Sequence, residues 1–289
     1  MLTVRSELSA RLVAAHPLPG VRAGSALVRV GDRLLAVQDD AFCAAWIDLP
    51  GLGVTRLPLS GDGVALAKKD KPDFESALRA PDGSIRLLGS GSLENRCTLA
   101  RIDPDDGSVT LHEFPAIYDS VRLALGLADR PNIEGAAVDG SRLRLFHRGA
   151  GSAASACVDL PLGVLDGDRP QVLGFTWFEL GTLDGVGLGV TDAAVLSHDR
   201  TMFLAAAELT DDAIADGPVA GAAVGLIDGV GDPLSVRWTR LLESDGRPSV
   251  RKVEGLAVDD DLGGGWLITD PDDPTRSAEL CRVELDGIA

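Results

Sequence analysis

Four acidic residues, Glu75, Glu134, Asp192 and Glu254, share one local setting along this 289-residue chain. Each is followed by a small residue and opens a short apolar stretch: ESALRAPDGSIRLL, EGAAVDGSRLRLF, DAAVLSHDRTMFL and EGLAVDDDLGGGWLI. A fifth copy, GSALVRVGDRLLAV, puts Gly24 and Ser25 at the same place. Carboxylates gathered at one point repel, so they raise one another's pKa or recruit a cation. A ring of hard oxygen donors suits Ca²⁺ or Mg²⁺. The expected ligands are Ser25, Glu75, Glu134, Asp192 and Glu254. The competing reading is that these acids bond strand amides and hold only water.

Cations cluster beside the same acids. The four lysines are Lys68, Lys69, Lys71 and Lys252, each just before Glu75 or Glu254. Arg130 precedes Glu134 similarly, and Arg148 follows it. Cations beside an acidic ring suit a small anionic molecule above a metal, through phosphate or carboxylate groups. Lys71, Arg130, Arg148 and Lys252 are the expected substrate-binding residues. The plainer alternative is local charge balance. His147 falls beside Arg148 and is a candidate general base; Glu134 is the other candidate catalytic residue.

The elements that must position these residues recur. The five copies start about 51 to 62 residues apart. Each has an apolar strand, a turn and a second strand. A third strand follows, ending at Asp48, Asp103, Asp159, Asp228 or Glu284. Four copies add a fourth strand, from Val54, Val109, Val172 and Val236. Four strands per repeat of this length predict a blade of a β-propeller. The expected fold is all-β, a single propeller over residues 1–289 with five four-stranded blades. Their spans are 24–60, 75–115, 134–180, 192–242 and 254–289, the last completed by residues 2–13. Pairing the N-terminal strand into the last blade covers an open sheet edge. Six blades are the alternative, with the extra one sought between Pro115 and Asn132. A short helix over residues 118–131 is the other reading of that stretch.

The totals agree with such a chain. Thirty-four glycines and 16 prolines supply many turns, and aromatics are only 4%, so small aliphatic residues must fill the core. A net charge of -17 argues against nucleic acid or an anionic membrane as partner. No apolar run approaches the ~18–20 residues of a membrane helix. No signal-peptide pattern opens the chain, so a cytoplasmic location is expected. Cys43, Cys97, Cys157 and Cys281 each lie in a strand-like segment shortly before an acid, one equivalent buried position in four repeats. No GxSxG, P-loop or HExxH pattern occurs.

The recurring E-G-[LA]-A-V-D at Glu134 and Glu254 resembles a broad group of uncharacterised bacterial propellers, some phytase-like and some esterase-like. The order of Ser25, Glu75, Glu134 and Glu254 resembles the calcium-dependent apyrases, whose Ser and Glu residues open the inner strands around a central Ca²⁺. Asp192 departs from the Ser that this resemblance implies. Together these observations predict a metal-dependent hydrolase of a phosphoester, phosphoanhydride or lactone. The alternative is a non-catalytic binding propeller with a protein partner and a structural cation or none.

Overall fold

The computed structural model describes residues 7–149, 153–197, 200–210, 217–229 and 235–288. Three antiparallel sheets of four strands form first. One holds β1 (Ser9–Pro17) at no point, and runs instead through β2 (Gly24–Val30), β3 (Arg33–Gln38), β4 (Cys43–Asp48) and β5 (Gly53–Pro58). The next holds β6 (Phe74–Arg79), β7 (Ile85–Gly89), β8 (Thr98–Ile102) and β9 (Val109–Glu113). The third holds β10 (Ile133–Asp139), β11 (Arg142–His147), β12 (Ser155–Pro161) and β13 (Gly174–Phe178).

The remaining strands make one nine-stranded sheet. It contains β14 (Thr182–Leu183), β15 (Val186–Ser197), β16 (Arg200–Glu208), β17 (Val219–Asp228) and β18 (Ser235–Leu242). It also contains β19 (Val253–Val258), β20 (Gly264–Thr269), β21 (Glu279–Asp286) and β1. The N-terminal strand β1 pairs antiparallel with β21 from Ser9 opposite Asp286 to Pro17 opposite Glu279. It also touches β18 in parallel register at Ala10–Leu241 and Arg11–Leu242, which fuses a five-strand group, β14–β18, with the four strands β1, β21, β20 and β19. Its span lies further along than the expected 2–13, and residues 2–6 of that expectation lie outside the described residues.

The inner strands β2, β6, β10, β15 and β19 touch in that order, and β19 touches β2. Apolar clusters fill the gaps between successive sheets. Leu35, Val37, Phe74 and Leu87 pack the first against the second. Leu27 and Leu34 pack β2 and β3 against Ala257, Ile268 and Leu280 of β19–β21. Aliphatic side chains dominate these layers, as a composition poor in aromatics requires. The four cysteines are free and buried, and each lies on or just before a third strand, in β4, β8, β12 and β21.

Between Pro115 and Asn132 the chain forms α1 (Pro115–Leu125), with no strand. Pro115 opens it where a missing N–H costs nothing, and Gly126 closes it at φ 66°. Its Ile117, Tyr118, Val121 and Leu125 pack between the second and third sheets. A further blade therefore does not occupy this stretch. The short helix expected over 118–131 is present but begins at Pro115 and ends at Leu125.

The Glu-Gly pairs have a packing cause. A Cβ on Gly255 would lie 2.7 Å from the Ala26 backbone of the adjacent inner strand. The tiny residue lets neighbouring inner strands approach closely, where a side chain would force them apart.

Candidate active site at the inner-strand bulges

Each inner strand carries a register shift, at the first residues of four of them and midway along β15. The shifts fall between Gly24 and Ala26, Phe74 and Ser76, Ile133 and Gly135, Val190 and Asp192, and Val253 and Gly255. The residues skipped by the ladder are Ser25, Glu75, Glu134, Thr191 and Glu254. A bulge leaves one residue unpaired and re-aims its side chain. It is the bulge that gathers the three glutamates: oxygens of Glu75, Glu134 and Glu254 lie within 4.8 Å of one another.

The fourth copy corrects the sequence expectation by one residue. Thr191, not Asp192, occupies its bulge. The Thr191 hydroxyl donates to the Val253 carbonyl at 2.8 Å, as the Ser25 hydroxyl donates to the Phe74 carbonyl at 2.5 Å. Asp192 is buried and accepts from the amides of Ala193 (2.8 Å) and Leu256 (2.7 Å). Burial holds its carboxyl well above the usual carboxylate range, against those two amides. Its Oδ2 crosses the seam to β19, and its Oδ1 is held within β15. A one-residue slip in a strand moves a side chain to the other face, so aligning the acid rather than its neighbour misplaces it.

The glutamates line a cavity of about 260 Å³. Ten acidic and six basic side chains line it, an excess of four negative charges when all are ionised. Glu134 accepts from Asn132 Nδ2 at 2.6 Å and faces Arg148 Nη1 at 3.4 Å. Arg148 Nη2 reaches Glu208 at 2.9 Å. Lys252 Nζ lies 2.8 Å from Asp272 and 3.9 Å from both Glu208 and Glu254. Lys71 bonds Asp39 and lies 2.8 Å from Asp73. Glu254 is 4% exposed, and its Oε1 has no hydrogen-bond partner among the described residues.

Burial, then neighbouring carboxylates, push the Glu75 carboxyl well above its ordinary value, against Lys71. Glu254 is raised by burial too, with Lys252 opposing and Glu134 adding to the rise. Burial raises Glu134 as well, with Arg148 opposing. Burial works against the charge of Lys71 and Lys252, yet Asp39 and Glu254 respectively outweigh it and hold both ammonium groups protonated. Burial raises Asp270 to about 7, with Lys252 opposing. Such a cluster is stable only if it takes up protons or a cation.

Not every expected residue arrives. Ser25, Glu75, Glu134, Glu254, Lys71, Arg148 and Lys252 line the cavity. Arg130 does not; its guanidinium lies 3.4 Å from Cys97 Sγ. His147 is buried, its Nδ1 accepting from the Asn132 amide at 3.1 Å and its ring edge-on to Trp177 at 6.2 Å. Burial lowers its pKa. It therefore supports Asn132, which in turn holds Glu134. His147 is the last residue of β11 and is not among the residues lining the cavity, so the structure does not bring this expected general base to the glutamates.

Sequence reasoning passed over Asp73, Arg96 and Gly189. Asp73 takes φ 54°, rare for a residue with a Cβ, and bonds Lys71, Arg96 and Ser90. A Cβ on Gly189 would lie 2.6 Å from Arg148 Nε, so the glycine leaves the passage through which Arg148 reaches the cavity. The Gly-rich run from Gly185 was its only signal. Among the described residues no helix is long and apolar enough to cross a membrane.

The chain's architecture has parallels. A search of curated proteins finds no match. Among solved structures the chain is similar to a glutaminyl cyclase from Myxococcus xanthus, at TM-score 0.53 and 11% identity over 96% of each chain. It is also similar to a luciferin-regenerating enzyme, at TM-score 0.50 and 10% identity over 96% of this chain and 95% of that one. Identities this low speak for fold alone, and the neighbouring structures are β-propellers, so the fold is that of an all-β propeller. Residues 20–285 match the family of unknown function DUF6929, and the chain belongs to that family.

Proposed function

We propose that the chain is one domain, a closed propeller of five blades, whose axial cavity binds a divalent cation and hydrolyses a small anionic molecule. In this reading the nine-stranded sheet is two blades joined where β1 touches β18, and β1 completes the last blade. Glu75, Glu134 and Glu254 hold the cation, Ca²⁺ or Mg²⁺, with Ser25 at the margin. Arg148 and Lys252 orient the anionic group of a phosphoester, phosphoanhydride or lactone-derived acid.

The observation that carries the reading is the triad of glutamates with oxygens within 4.8 Å of one another, together with a Glu254 Oε1 that is buried without a hydrogen-bond partner among the described residues. Ser25 and Thr191 donate to carbonyls, and a purely structural ring would give the glutamates backbone amides to accept from, as Asp192 has; Glu254 Oε1 has no such donor among the described residues. The chemistry fits: oxygen donors and surplus negative charge suit a hard cation. A divalent ion at such a place polarises a substrate oxygen and lowers the pKa of water. The resemblance to calcium-dependent apyrases supports the same ring once Thr191 takes the place first given to Asp192.

The test is thermal unfolding of metal-stripped protein with and without Ca²⁺ or Mg²⁺, paired with a screen of phosphoesters, nucleotides and lactones. A bound ion at a hundredfold excess over Kd stabilises by about 2.7 kcal/mol. That rise, its loss in Glu134→Gln and cation-dependent turnover are the expected results. A cation response without turnover on any of these substrates would leave a binding platform with a structural ion. No response to any divalent ion would remove the axial cation.

A further inference from the structure

We infer that the centre contains a second cation seat, formed by Asp39, Asp73 and Glu75, and that the Lys71 ammonium fills it, so that the axis takes one divalent ion instead of two. This rests on the axial cation proposed above. Two carboxylate triads meet at the cavity, Glu75–Glu134–Glu254 and Asp39–Asp73–Glu75, each with its oxygens within 4.8 Å of one another. Glu75 belongs to both. A carboxylate shared by two oxygen clusters is the arrangement that two-ion centres use to hold their ions a few ångströms apart.

The two triads differ in what already sits in them. Lys71 Nζ is bonded to Asp39 and lies 2.8 Å from Asp73 Oδ1. At the other triad Lys252 stays 3.9 Å from Glu254, and Arg148 keeps 3.4 Å from Glu134. The first triad therefore has an ammonium at bonding distance from two of its acids. In the second, Arg148 bonds Glu134 alone and Lys252 stays 3.9 Å from Glu254, so among the described residues no cation lies at bonding distance from two of its acids. An ammonium is a compact point charge and replaces a metal ion in position, with a single charge. It leaves part of the donor set unused: Asp39 is 6% exposed, and its Oδ1 has no hydrogen-bond partner among the described residues. That unused buried oxygen is what a divalent ion would take up if Lys71 lost its charge.

The measurement is the number of Ca²⁺ or Mg²⁺ ions bound per chain, by calorimetric titration and elemental analysis of the dialysed protein. Wild type should bind one ion, Lys71→Arg one, and Lys71→Met two. Adding Asp39→Asn to Lys71→Met should return the number to one. Should Lys71→Met fail to fold, Lys71→Gln carries the same expectation. One ion in wild type and one in Lys71→Met would overturn the second seat while leaving the axial ion standing. Two ions in wild type would also overturn it. No ion in wild type and none in Lys71→Met would remove both the axial reading and this one.

Discussion

Ser25 and Thr191 sit at the same bulge as Glu75, Glu134 and Glu254, and the two kinds of residue are put to different uses. Each hydroxyl donates to the carbonyl of a neighbouring inner strand, Phe74 for Ser25 and Val253 for Thr191. These bonds tie adjacent sheets at the centre of the molecule. The glutamates tie nothing comparable: Glu254 Oε1 is buried without a hydrogen bond among the described residues, and Glu134 is held by the Asn132 side chain and Arg148. One backbone device thus serves as a staple at two positions and gathers repelling charge at three. Charge concentrated against burial costs stability, and such clusters are kept where they bind or react.

Mutations can break that contrast. The largest expected effect is at the stapled seam beside Thr191. Asp192→Ala strips acceptors from two buried amides, those of Ala193 and Leu256. Leaving both unsatisfied should cost about 3 kcal/mol, read by urea unfolding, with the cation response intact. A lost cation response in a folded Asp192→Ala would return Asp192 to the ligand set. Next comes Glu254→Gln, the counterpart among the glutamates. It should abolish the cation-induced stabilisation, about 2.7 kcal/mol at a hundredfold excess over Kd. The same change should raise the stability of the metal-free protein at pH 8, because it removes a buried charge. A destabilised metal-free Glu254→Gln would place that side chain among the staples.

Smaller effects sharpen the comparison. Thr191→Val, of similar shape, should cost about 1 kcal/mol and leave ion binding unchanged. Gly189→Ala should displace Arg148 and weaken anion binding, with little change in the cation response; inorganic phosphate titrated into cation-loaded protein measures it. The last prediction concerns pH. Burial raises Asp39 to about 6, with Lys71 opposing, and Asp270 to about 7. Their ordinary value is 3.8, so between about 4 and 7 the folded state holds more protons than the unfolded one. Stability of the metal-free protein should therefore fall as pH rises through that window. Added cation should flatten the fall, and equal slopes with and without it would argue that the ion does not offset this charge.

Much of the architecture was readable because it repeats. Strand spacing, turn residues and, in four of the five copies, a cysteine at the third strand recur at fixed places, and periodicity reports local structure directly. Glu75, Glu134 and Glu254 were readable for the same reason, since each opens its copy. What escaped were features that depend on contact across the chain. A bulge shifts register by one residue, and nothing local to VTDAAV says whether Thr191 or Asp192 is skipped by the ladder. The direction of His147, set by Asn132, and the reach of Arg130 to Cys97 follow from packing.

The sequence by itself determined a chain of repeated strands, a surplus of acids at the start of those strands, and cations close to them. Tertiary structure alone decided which acids meet. Distant bulges had to be brought side by side before three glutamates could share a few ångströms. Lys71, two residues from Asp73, had to fold onto Asp39, 32 residues away in the chain, before one triad could differ from the other. Distance governs electrostatic coupling, and distance between remote residues is a property of the fold.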